Sequence, residues 1–100
     1  MADNIKSFGE TVRYLRESKG LLLRQVAAVI EVDNAFLSKM ERNEKKASRQ
    51  QVIKLANALE TTERELLTLW LSDKIVDTLN EESEAYGALK LTEKRLKRTK

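Results

Sequence analysis

The stretch that most constrains this chain runs from Leu23 to Arg42, LRQVAAVIEVDNAFLSKMER. Val26, Ala27 and Ile30 fall at helical spacing and share one face. Glu31-Val32-Asp33 breaks the pattern, and Phe36, Leu37 and Met40 resume it. Asp33 suits an N-cap, because its carboxylate can accept from the backbone N–H of Ala35 or Phe36. Ala27 is small enough for two helices to cross closely, and Val32, apolar inside the turn, plugs the angle between them. The spacing predicts two short helices joined by a sharp turn, the second over about Asn34 to Glu41. Leu37 and Met40 form its core side. Asn34, Ala35, Ser38 and Lys39 form its outer side. Phe36 is open between packing on the first helix and lying against a ligand.

The flanking sequence carries matching start and stop signals. Ser7 with Glu10, Ser48 with Gln51, and Thr62 with Glu65 read as capping boxes at three helix starts. The first helix runs to about Lys19, with Phe8, Val12 and Leu15 inward, and Gly20 ends it. Tyr14 is expected half buried, and Arg13, Arg16 and Lys19 outside. A helix from Ser48 to Leu59 turns Val52, Leu55, Ala56 and Leu59 inward. The next begins at Glu63 and keeps a three-to-four spacing through Leu66, Leu67, Trp70, Leu71, Ile75 and Leu79. Leu69 and Val76 add apolar surface on another side. Residues 80–100 suggest one more helix, weakly apolar through Tyr86, Leu89 and Leu96, with a basic tail. Tyr86, Leu89 and Leu96 either fold back on the domain or extend a dimer contact. The expected organisation is a flexible leader over 1–6, a domain over 7–79, and a C-terminal helix and tail over 80–100.

Composition removes several function classes. The chain has no Cys and no His, so it lacks thiolate and imidazole ligands and the commonest general base. It has no Gly-rich phosphate loop and no carboxylates clustered in a plausible cleft, so no catalytic site can be assigned. No cofactor and no small-molecule ligand are expected. No apolar run approaches the roughly 20 residues of a membrane span, and no apolar signal-peptide core opens the chain. A cytoplasmic protein is expected, with no membrane partner. The net charge of +3 hides an uneven distribution. Residues 13–54 carry ten Lys/Arg against five Asp/Glu, and residues 55–89 two against eight. Residues 90–100 carry six against one. A positive field confined to one segment suits a nucleic-acid docking face, though ordinary solvated surface shows it as well.

The Leu23–Arg42 pattern is that of a helix-turn-helix, and it resembles the lambda-repressor-like family, also called Cro/CI or XRE. Ala27 takes the small fifth position of the motif. Val26, Ile30, Val32, Leu37 and Met40 take the apolar ones, and LSKMER looks like the end of the family's second motif helix. The likeness extends from about Phe8 to Leu67. It implies an all-α, five-helix DNA-binding domain, here with an added C-terminal helix or tail. It also implies a homodimeric regulator on a pseudo-palindromic double-stranded DNA operator, possibly of the restriction-modification controller type. Asn34, Ala35, Ser38 and Lys39 match the family's base-reading positions, and these side-chain types suit major-groove edges. Arg24, Arg42, Lys45, Lys46 and Arg49 are the candidate phosphate contacts. Leu66, Leu69, Trp70 and Val76 on the fifth helix are the candidate dimer interface.

Two departures from the family stand out. Glu31 occupies the turn position usually held by Gly, where a left-handed residue costs a side chain about 1 kcal/mol. Leu22 and Leu23 replace the usual Thr/Ser-Gln pair, whose Gln touches the DNA backbone. Arg24, one position on, can replace that contact. Leu22, Leu23 and the apolar fifth helix keep open a second reading. It is a helical protein-interaction module, or an antitoxin-like regulator that binds a protein partner.

Overall fold

The computed structural model describes residues 6–100, so most of the expected leader lies outside the described residues. Six helices follow one another: α1 (Phe8–Ser18), α2 (Leu23–Val29), α3 (Asn34–Glu41), α4 (Arg49–Ala58), α5 (Glu63–Leu79) and α6 (Ala85–Thr99). Among the described residues there is no strand.

The starts are fixed by local side chains, as the sequence predicts. Ser7 Oγ accepts from the Glu10 N–H at 3.2 Å, and Glu10 Oε1 accepts from the Ser7 N–H at 3.0 Å. The Ser7 backbone and hydroxyl donors hold the Glu10 carboxyl below its ordinary pKa. Asp33 Oδ1 accepts from the Phe36 N–H at 2.7 Å to open α3. Ser48 and Gln51 form the reciprocal box at α4. The expected box at α5 is only half formed. Thr62 Oγ1 accepts from the Glu65 N–H, but Glu65 Oε2 accepts from the Thr61 hydroxyl at 2.9 Å rather than from the Thr62 backbone. At α2 the opposite half forms. Leu22 has no side-chain acceptor to offer, yet Gln25 Oε1 accepts from its N–H at 2.7 Å.

The stops share one geometry. Gly20, Glu31, Asn43 and Glu60 follow α1 to α4 with φ of 68°, 62°, 65° and 57°. At each, the next N–H reaches back five residues, as Val32 N–H does to the Ala27 carbonyl at 3.0 Å. These are Schellman closures, which satisfy the last free carbonyls of a helix. Only one of the four uses Gly. Glu31 therefore does adopt the left-handed conformation, held there by the partly buried Val32 beside it. Replacing Glu31 with Gly is expected to stabilise the domain by roughly 0.5–1 kcal/mol, the strain released less the added chain entropy. Glu31→Ala, which keeps the left-handed penalty, should give no such gain in urea unfolding.

Helices α1 to α5 enclose one core. Val12, Val26, Leu37, Met40, Val52, Leu55, Leu59 and Leu66 are its largest fully buried side chains, with Phe8, Ala27 and Ile30 beside them. Leu15, Phe36, Leu69 and Trp70 pack partly against it. Phe36 thus takes the packing role rather than standing free. Tyr14 is exposed, not half buried, with the Lys6 ammonium 5.9 Å from its ring centroid. Arg16 was expected outside and instead is drawn inward by Glu41. Helix α6 has no buried residue, and Tyr86, Leu89 and Leu96 stay exposed rather than folding back on the core.

Candidate nucleic-acid interface

Helix α3 is positioned by the residues on its inner side. Leu37 and Met40 are buried against α1 and α2, and Glu41 is locked to α1. Arg16 Nε and Nη2 donate to the two Glu41 carboxylate oxygens at 2.7 and 3.2 Å, and Arg16 Nη1 donates to the Leu21 carbonyl at 2.9 Å. This fork ties the end of α3 to α1 and to the entry of α2. The carboxylate keeps the Arg16 guanidinium pKa above its ordinary value. Glu41 was expected to be partly structural, and that is its place here. Arg16 is consumed by the same pair and offers nothing to a phosphate.

The outer side of α3 presents Asn34, Ala35 and Lys39, all exposed. Ser38 is only half exposed, and its Oγ accepts from Arg42 Nη1. Arg42 also grips Glu44 through Nε at 3.0 Å. The hydrogen bond and charge of Arg42 hold the Glu44 carboxyl below its usual pKa, and Glu44 raises Arg42 in return. Ser38 and Arg42 are thus one hydrogen-bonded unit at the edge of the helix.

The basic loop after α3 is held against α5. Lys46 pairs with Asp77, and the Arg49 guanidinium lies over the Trp70 ring at 5.3 Å from its centroid. Lys74 covers the same ring at 4.4 Å, and Trp70 Nε1–H donates to the Ala47 carbonyl at 2.9 Å. Trp70 is therefore anchored within its own chain. Nothing in local sequence showed this, because Arg49 and Trp70 are 21 positions apart. Asn43 adds a second tie. Its Oδ1 accepts from the Gly9 N–H at 3.3 Å, and its Nδ2 donates to Ser7 Oγ at 2.9 Å. Asp73 Oδ2 accepts from the Phe8 N–H at 2.9 Å, so α5 and the loop both fasten the start of α1.

The sequence-predicted residues divide accordingly. Among the described residues Arg24, Lys39 and Lys45 have no ion-pair partner and stand exposed. Lys46, Arg49 and Arg42 are exposed but already engaged. On α5, Leu66 is 2% exposed and belongs to the core, so it offers no surface to a partner. Leu69 and Trp70 are partly buried against that core, and Val76 is 59% exposed. Leu22, in place of the family's polar residue, is exposed, while Leu23 packs partly on the core. Among the described residues no group of acidic side chains could hold a metal ion, and no helix is long and apolar enough to cross a membrane.

Comparison with known proteins places this geometry. No curated protein matches the chain. Among solved structures, it is similar to the clp gene regulator ClgR from Corynebacterium glutamicum, at 24% identity and a TM-score of 0.58. That match covers 92% of this chain and 84% of the other. The SinR protein/SinI protein complex matches at 22% identity and a TM-score of 0.55, over 93% of this chain and 99% of that one. At these identities the likeness establishes the fold. Residues 12–66, more than half the chain, match the family model described as Helix-turn-helix. With the capped α2–turn–α3 unit built on its own core, the chain belongs to the XRE-type helix-turn-helix family of DNA-binding transcription regulators, which are not enzymes.

Proposed function

We propose that this chain is a homodimeric, cytoplasmic transcription regulator that reads a pseudo-palindromic operator with α3. Asn34, Ala35, Ser38 and Lys39 face base edges in the major groove. Arg24, Lys45, Lys46 and Arg49 grip phosphates on either side. Arg42 joins them when a phosphate takes the place of the Glu44 carboxylate. Two copies set their α3 helices about one helical turn apart, roughly 34 Å, on the two half-sites.

The observation that carries this reading is the two-sidedness of α3. Its inner side is fixed by the core and by the Arg16–Glu41 fork, while Asn34, Ala35 and Lys39 stand free beside a basic loop. A rigidly placed helix with a polar outer side is what direct readout requires. The exposed Leu22 favours the alternative, a protein-interaction module, because a leucine there gives up a phosphate contact.

Retention of genomic fragments on the purified protein, at near-physiological salt, tests the two. Enrichment of one two-fold-symmetric site supports the regulator. Weak retention of all fragments alike favours the interaction module. Within the regulator reading, Asn34→Ala and Lys39→Ala each lose about 1–3 kcal/mol at the selected site and relax base preference there. Lys45→Ala instead weakens all DNA alike and flattens the salt slope by about one unit. Titrations at several salt concentrations, on selected and scrambled duplexes, separate these behaviours.

A further inference from the structure

Helix α6 is the one helix with no buried residue, and its charges are sorted by end. Glu81, Glu82 and Glu84 precede it, and Lys94, Arg95, Lys97, Arg98 and Lys100 close it. Ala85, Leu89, Thr92, Leu96 and Thr99 alternate by four and three along one side, the spacing of a coiled-coil seam. Leu89 and Leu96 on that seam are exposed. At the foot of the helix, Ile75, Val76, Tyr86 and Leu89 line an open apolar groove between α5 and α6.

We propose that the occupant of this face is α6 of a second copy, lying antiparallel along it. The pairing rests on the homodimer reading above and names its surface, which moves the main contact from α5 to α6. Charge decides both the occupant and the direction. A parallel pair would set acidic ends together and basic ends together. An antiparallel pair sets the basic end of each helix against the acidic approach to the other. With Thr92 near the two-fold axis, Leu89 of each copy meets Leu96 of the other, and Lys97 and Lys100 come beside Glu84 and Glu82. The fifteen residues of α6 span roughly 22 Å, which alone gives a small interface. Ile75 and Val76 of α5, at the mouth of the groove, extend it.

Sedimentation equilibrium of the full chain without DNA tests the pairing. Self-association in the micromolar range is expected for the natural sequence. Leu89→Asp with Leu96→Asp should weaken it at least tenfold. Both sites are exposed, so the thermal unfolding of the α1–α5 core should not change. Lys97→Glu with Lys100→Glu, and separately Glu82→Lys with Glu84→Lys, should each weaken self-association, and an equimolar mixture of the two should recover it as a heterodimer. Undiminished association of the Leu89/Leu96 variant, a monomeric natural chain, or charge variants that do not combine would each overturn the proposal. The operator reading is scored separately by fragment retention. Pairing through α6 without a two-fold-symmetric site leaves this proposal standing and removes that reading. A symmetric site bound by a dimer indifferent to Leu89 and Leu96 does the reverse.

Discussion

Arg16→Ala is expected to cost about 3–5 kcal/mol of folding stability, most of what a small domain commonly has. The partner decides the size of the effect. The Glu41 side chain is 5% exposed and that of Arg16 is 13%, so the carboxylate cannot turn to water when the guanidinium is removed. Two charge-assisted hydrogen bonds are lost together, and so is the donor to the Leu21 carbonyl. The control is the double change Arg16→Met with Glu41→Leu. Replacing both charges by apolar groups of similar length should recover most of the stability, because no unpaired charge stays buried. Urea unfolding followed by far-UV circular dichroism measures both. A single-variant loss below about 1 kcal/mol would rank the pair with ordinary surface ion pairs. The double variant also separates stability from function. It keeps the outer side of α3 intact, so DNA affinity should fall only as far as α3 loosens on α1.

Gly9→Ala is the second large effect, and its cause is contact between backbones. A Cβ at position 9 would lie 2.5 Å from the Met40 carbonyl oxygen and 2.8 Å from that of Glu41. It would also lie 2.5 Å from Asn43 Oδ1, the acceptor that the Gly9 N–H now uses. The Asn43 side chain can swing away, but the two carbonyls at the end of α3 cannot. α1 has to shift off α3, which strains the Phe8–Asp73 bond and the Arg16–Glu41 fork together. The expected loss is at the upper end of the roughly 1–3 kcal/mol typical of overpacking, or somewhat beyond it. Gly87→Ala adds the same methyl group to α6, where nothing lies within 4 Å of it. That change should raise helicity slightly and leave the core transition in place. If Gly9→Ala unfolds at the same urea concentration as the natural chain, the close approach of α1 to α3 is wrong.

Both effects belong to the same joint. Gly9 and Arg16 sit one above and one below the point where α1 crosses the end of α3, and each fixes α3 from a different side. The reading helix is thereby held by backbone contact, by a buried fork and by its own apolar side. A reader of base edges needs that rigidity, because a misplaced donor loses its bidentate geometry.

Much of this fold was legible before any coordinates. The α2–α3 unit and the core side of every helix in the domain follow from apolar spacing. The helix starts follow from Ser7, Asp33, Ser48 and Thr62, because capping uses residues three apart and needs no distant partner. The candidate reading residues were legible for the same reason, as the polar complement of Leu37 and Met40.

What only the tertiary structure decided lies in contacts between residues far apart in the chain. Arg16 and Glu41 look like surface charges until α1 crosses α3, and burial then makes them a fork. Gly9 looks like the interior of a capping box until two carbonyls close on it. Trp70 looks like an interface anchor until Ala47, Arg49 and Lys74 converge on its ring. Leu66 looks available for pairing until α4 and α5 close over it. Glu31 carries no sign of a left-handed backbone, because the turn is imposed by Val32 and the Schellman bonds around it. Helix period and capping are properties of a few neighbouring residues, so the sequence alone determines them. Which charge is buried, which aromatic ring is already covered and which glycine has no room depend on how the helices cross, and only the folded chain decides that.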